Sequence, residues 1–106
     1  MTNEILNLKT GNVDVADIDE YNTLRNKLSF WRKRLDVATS AAFQNVGYFY
    51  VGECGSNSSE NRNQFILAGN RSEEDTLLKQ AVIDTLTIKI IEQINDKIKK
   101  INKLVK

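Results

Sequence analysis

The chain has 106 residues, 15 Lys+Arg against 14 Asp+Glu, and a formal net charge of +1. That length fits one domain. With 41% hydrophobic and 27% charged residues the composition is that of an ordinary globular protein, not a disordered one, and no apolar run approaches the ~20 residues of a membrane span. Histidine and proline are absent; the first absence removes His-based acid–base catalysis, the usual serine and cysteine triads and His-ligated metals, and the second leaves nothing to force a break in a long helix.

The first residues carry neither a basic stretch nor an apolar core of the kind that directs secretion, so a cytoplasmic protein is expected, in a bacterial cell or an infected host cell. Residues 4–15 alternate apolar and polar around Thr10-Gly11-Asn12. This pattern predicts a short N-terminal β-hairpin or a loose arm, with Gly11 supplying the positive φ that the turn would need.

From Asp17 the apolar period lengthens. Tyr21, Leu24, Leu28, Trp31, Leu35, Ala38 and Ala42 follow at alternating steps of three and four, a coiled-coil-like seam that predicts a helix over 17–45. Asp14 or Asp17 is placed to cap it, with Asp19 and Glu20 near its positive end. Phe30, Val37 and Ala41 fall off the seam, on a second small apolar patch. Residues 47–68 read as a β-hairpin: an aromatic and β-branched strand over 47–54, a polar loop over 55–61, and a partner strand over 63–68. Cys54 lies in Gly-Glu-Cys-Gly with no neighbouring cation to lower its pKa, and is read as a bystander.

Ser72 followed by Glu73, Glu74 and Asp75 marks a second helix start. Ile91, Ile94, Ile98, Ile101 and Val105 then repeat at steps of three and four, which extends the helix over 73–105, although Leu86-Thr-Ile-Lys-Ile90 also alternates like a strand. Residues 77–91 are apolar around much of the circumference. The fold expected is therefore α+β and mainly helical: a single domain over 1–106, with two long antiparallel helices joined by a β-hairpin. Pairing Asn45 with Ser72 sets Trp31 near Leu86, Leu35 near Val82 and Leu24 near Ile94, and sets the acids of 14–20 opposite Lys97, Lys100 and Lys103. Helices this long outrun a compact monomer and leave apolar faces uncovered, so a homo-oligomer is expected.

The net charge hides a segregated distribution. Residues 25–34 hold Arg25, Lys27, Arg32, Lys33 and Arg34, no acid, and the rings of Phe30 and Trp31. Cations engage phosphates and exposed rings stack on bases, so this stretch is the candidate anion or partner site, with Tyr48 and Tyr50 of the hairpin as companions. The structural alternative has Trp31 in the core and the cations flanking the seam. No catalytic set, glycine-rich phosphate loop, calcium loop or zinc pattern is present, so neither an enzyme, a metal nor a cofactor is expected. The 12 Asn, 10 Lys and 10 Ile use A/T-rich codons, the bias of a low-GC bacterial or a phage genome, which together with small size and no catalytic set fits a phage or mobile-element accessory protein. The function expected is a non-enzymatic oligomeric binding module that engages a host macromolecule. Nucleic-acid binding through Arg25–Arg34, and sequestration of a small anion such as a nucleotide at an oligomer interface, stand as alternatives.

Overall fold

The computed structural model describes residues 4–52 and 65–106 and is mostly helical. Its elements are an extended arm, a 3-10 turn over Val15–Asp17, helix α1 (Ile18–Ala38), a four-residue helix α2 (Ala41–Gln44), strands β1 (Phe49–Val51) and β2 (Phe65–Ala68), and helix α3 (Glu73–Leu104). The polar loop expected at 55–61 lies outside the described residues, as do Cys54 and the outer parts of both expected strands. Among the described residues, no helix is long and apolar enough to cross a membrane.

The core is the seam between α1 and α3. Leu24, Leu28 and Ala38 from α1 pack with Ile90, Ile94, Ile98 and Ile101 from α3, and Tyr21, Trp31, Leu35 and Phe43 lie half-buried against them. Isoleucines at steps of three and four keep one stripe of α3 facing one stripe of α1, which is why a heptad-like spacing folds this way. Val13, just before α1, bridges Val105 at the end of α3, while Ala38, at the other end of α1, shares a cleft with Leu86 and Ile90. The segment Leu86–Ile90 is helix throughout: Ser72 accepts a hydrogen bond from Asp75 N at 3.1 Å, and the helix so started runs on unbroken.

Three expectations are corrected. First, the helix predicted over 17–45 stops at Ala38. Thr39 Oγ1 donates to Leu35 O at 2.8 Å and Ser40 Oγ to Val37 O at 2.7 Å, while Ser40 Oγ accepts from Phe43 N to start α2. Short hydroxyl side chains that bond the backbone locally compete with the helix ladder. The chain therefore turns, and Phe43 reaches the core in place of exposed Ala42. Second, neither Asp14 nor Asp17 makes a side-chain cap; the chain enters α1 through the 3-10 turn, with Asp17 N bonding Asp14 O at 2.9 Å. Third, the acids of 14–20 do not face Lys97, Lys100 and Lys103 as a set. Asp14 pairs with Lys106, whereas Lys97 and Lys100 are taken by Asp96 on their own helix at 3.0 and 3.2 Å.

Residues 4–12 form no hairpin. They lie extended along α3, gripped by two asparagines. Asn95 Oδ1 accepts from Leu6 N and its Nδ2 donates to Glu4 O, both at 2.9 Å. Asn102 repeats the grip, accepting from Lys9 N at 2.8 Å and donating to Asn7 O at 3.0 Å. Three extended residues span about 10 Å, and seven helical residues span about 10.5 Å, so asparagines two turns apart meet the arm at a three-residue interval. The backbone groups a second strand would have used are thus satisfied by side chains. Gly11 closes the arm against the C-terminus with φ +155°; a Cβ there would lie 2.5 Å from the Lys106 carbonyl oxygen.

β1 and β2 pair antiparallel, with an irregularity between Phe49 and Tyr50. Their base is stapled to α3 by Lys79, whose buried ammonium donates to Val46 O at 2.9 Å and to Asn70 Oδ1; Asn70 in turn donates to Gly47 O at 3.2 Å. Gly69 fits beneath because a Cβ there would stand 3.3 Å from both the Asp75 carboxylate and the Tyr48 Cβ.

Candidate ligand-binding cleft

Where α1 stops, the helix pair opens. A cleft of about 770 Å3 lies between α1 and α3, closed at one end by Phe43 of α2. This volume falls within the roughly 300–1,000 Å3 of small-molecule sites. Two local features of the sequence make the gap. The seam position at the floor is Ala38, where upstream positions carry Leu28, Trp31 and Leu35. The chain also turns away after Thr39, and Phe43 is drawn toward Phe49 of β1, with ring centroids 5.8 Å apart.

Each wall is one helical stripe. α1 presents Phe30, Lys33, Arg34 and Val37, with Trp31 and Ala38 deeper; α3 presents Leu86, Lys89, Ile90 and Gln93. Both sets follow i, i+3, i+4, i+7, the spacing of one helix face. Phe30, Val37 and Leu86 remain 58%, 62% and 42% exposed, so the walls are apolar and open to solvent. The Arg34 guanidinium lies 4.6 Å from the Phe30 ring centroid and 4.4 Å from that of Trp31, a cation held over two π faces. Lys89 pairs with Glu92 at 3.2 Å, both side chains largely solvated. Among the described residues, no acid lies within salt-bridge distance of Lys33 or Arg34, and none lines the cleft.

The candidate site residues are distributed as follows. Lys33 and Arg34 stand at the cleft. Arg25, Lys27 and Arg32 are exposed on α1 and do not line it. Tyr48 and Tyr50 are exposed on the hairpin side, their rings 5.8 Å apart, also away from the cleft. Their rings lie beside each other, while Phe49 between them turns to Phe43. Trp31 is half-buried against the core, as the structural alternative has it, while one edge still lines the cleft. The sequence reading missed Phe43, Lys79, Asn95 and Asn102. Asparagine disfavours helix interiors, so two of them seven residues apart in a long helix are the signal that marks the gripped arm.

Among the described residues, no group of His, Cys, Asp and Glu side chains is arranged to hold a metal ion. Comparison of the chain with protein-family models, with curated proteins and with solved structures found no match.

Proposed function

We propose that the chain is a small non-enzymatic binding module that works as a homo-oligomer of antiparallel helical pairs, each pair joined by its β-hairpin. One observation carries this reading: the N-terminal half of α3 leaves an apolar stripe uncovered. Leu77 is 65% and Leu78 48% exposed, and Ala81, Val82, Thr85 and Leu86 line a shallow groove that runs on from the cleft. The molecule's shape supports it. Its radius of gyration is 18.8 Å and its shortest extent 19 Å, against about 13 Å for a compact chain of this length. A thin helical slab has no second layer to bury such a stripe; a second copy, bearing the same stripe, supplies one. A macromolecular partner of the host would be engaged by the assembled module. A nucleic-acid partner is less well supported, because Phe30 and Trp31 line the cleft and leave Arg25, Lys27 and Arg32 without rings for base stacking.

Sedimentation equilibrium of the full chain tests the proposal. A dimer or larger species is expected at micromolar concentration, and Leu78→Glu with Val82→Glu is expected to shift it to monomer with an unchanged far-ultraviolet circular dichroism spectrum. A monomeric parent protein at about 100 μM sinks the reading.

A further inference from the structure

We infer that the cleft between α1 and α3 is a ligand site for a small amphiphile with one carboxylate head and an aliphatic or aryl body. The inference rests on reading the chain as a binding module and assigns that module's ligand class. The body is set by the walls: Phe30, Trp31, Val37, Phe43 and Ile90 offer apolar surface, and Gln93 is the single uncharged polar side chain among the lining residues. A nucleobase or sugar placed here would leave most of its donors and acceptors without partners, which costs binding. A hydrocarbon or plain aromatic ring loses nothing of the kind and gains by leaving water.

The head is set by Arg34. Its two ring contacts, 4.6 Å to Phe30 and 4.4 Å to Trp31, involve the guanidinium placed against π surfaces. Such contacts fix the group without using its in-plane N–H donors, and among the described residues those donors meet no protein acceptor. A planar fork of donors placed over two rings matches a carboxylate bidentately. Lys33 on the same wall and Lys89 on the facing wall add positive potential to the cleft, with Glu92 beside Lys89 offsetting part of it. An apolar slot with cations among its lining residues selects an anion-headed amphiphile over a neutral or cationic one of the same length.

Trp31 is the single tryptophan of the chain, so its emission reports the cleft directly. Full-length protein is titrated with dodecanoate below its micelle concentration, with dodecanol, and with dodecyltrimethylammonium. A saturable change in Trp31 emission is expected for dodecanoate, with dodecanol about ten- to a hundredfold weaker, the range of one charge-assisted hydrogen-bonded contact, and no saturable change for the cation. Arg34→Gln is expected to bring the carboxylate down to the alcohol's affinity, and Arg34→Lys to fall between, since charge remains but the planar fork is lost. Val37→Glu, at an exposed position that the fold does not depend on, is expected to weaken dodecanoate more than dodecanol. Equal affinity for carboxylate and alcohol in the parent, unchanged in Arg34→Gln, overturns the assignment of the head. The absence of saturable binding by any of the three overturns the cleft as a ligand site. Sedimentation of the same samples scores self-association separately, so a monomer that binds dodecanoate, or an oligomer that does not, tells the two readings apart.

Discussion

Residues 73–89 and residues 90–104 belong to one uninterrupted helix, α3, yet they meet different surroundings. In the C-terminal half, Ile94, Ile98 and Ile101 are fully buried, with α1 on one face and the arm, gripped by Asn95 and Asn102, on another. In the N-terminal half Ile83 is buried, but Leu77, Leu78 and Leu86 are exposed. Here α1 ends at Ala38, across the cleft from Leu86, and among the described residues β2 and the Lys79 staple reach the helix beyond it. Apolar content is similar in the two halves; what differs is the length of the partner. An α1 of 21 residues beside an α3 of 32 leaves about 16 Å of helix without a facing helix. The sealed half holds the fold together, and the open half carries the surface available to other molecules.

The sharpest way to break this contrast is to truncate one apolar side chain in each half. Ile98→Ala removes a side chain with no exposed surface and is expected to cost about 2–5 kcal/mol, transfer and cavity terms together. Leu78→Ala, at a half-exposed site, is expected to change the unfolding free energy of the monomer by under about 0.5 kcal/mol. Urea unfolding of the two variants at low protein concentration measures both. A large loss in Leu78→Ala under those conditions would mean that the open half is covered within one chain.

Polar anchors give the next contrast. In the open half Lys79→Met keeps the buried stem but leaves Val46 O and Asn70 Oδ1 without their donor, and about 1–3 kcal/mol is expected to be lost, together with faster amide exchange at the hairpin base. In the sealed half Asn102→Ala frees the Lys9 amide and the Asn7 carbonyl. Both are solvent-accessible, so water replaces the lost bonds and the cost is expected to be about 1 kcal/mol. Its signature is exchange of the Leu6 and Lys9 amides, accelerated while the seam stays protected. An arm that keeps its protection in Asn102→Ala would show that the Asn95 grip and Leu8 packing hold it without Asn102.

These anchors also show what the sequence could and could not disclose. The seam was legible because periodicity states burial directly: Leu24, Leu28, Ile94 and Ile98 lie where steps of three and four put them. The Ser72 start was legible because a capping hydroxyl followed by acids has one local meaning. The end of α1 was not, because Ala42 continues the heptad spacing through Thr39 and Ser40, and the hydroxyl bonds that halt the helix leave no mark on an apolar pattern. The arm is legible only as one of two alternatives, for a related reason. Its alternation is that of a strand, and it is extended, but its partners are two side chains on a helix that pattern reading assigns to a solvated face. For the cleft, Lys33, Arg34 and Phe30 were named from composition. That they converge, while Arg25, Lys27 and Arg32 do not, depends on where α1 stops.

The smallest expected effect concerns pH, where acid acts on both halves and alkali on one. Hydrogen bonds from Lys97 and Lys100 hold the Asp96 carboxyl below its ordinary 3.8. Burial raises the Asp75 carboxyl, but bonds from the Arg71 and Gly69 backbone and the Arg71 side chain outweigh it, and the net shift is also downward. A carboxyl lowered by folding stabilises fully above its unfolded value, and the contribution is lost as pH falls through the folded one. One such group lies in each half, so acid weakens both. Lys106 differs: its bond to Asp14 raises the ammonium above its ordinary 10.5. Its contribution is complete below 10.5 and disappears as pH rises through the folded value, and it acts only where the start of α1 meets the end of α3. Alkali is therefore expected to loosen the sealed half at its terminus. Amide exchange compared at pH 9 and near pH 11, after correction for the intrinsic rate, reads this as lost protection at Val13 and Val105. Asp14→Asn, which removes the partner, is expected to abolish the alkaline step; a step that persists in that variant assigns it to another group.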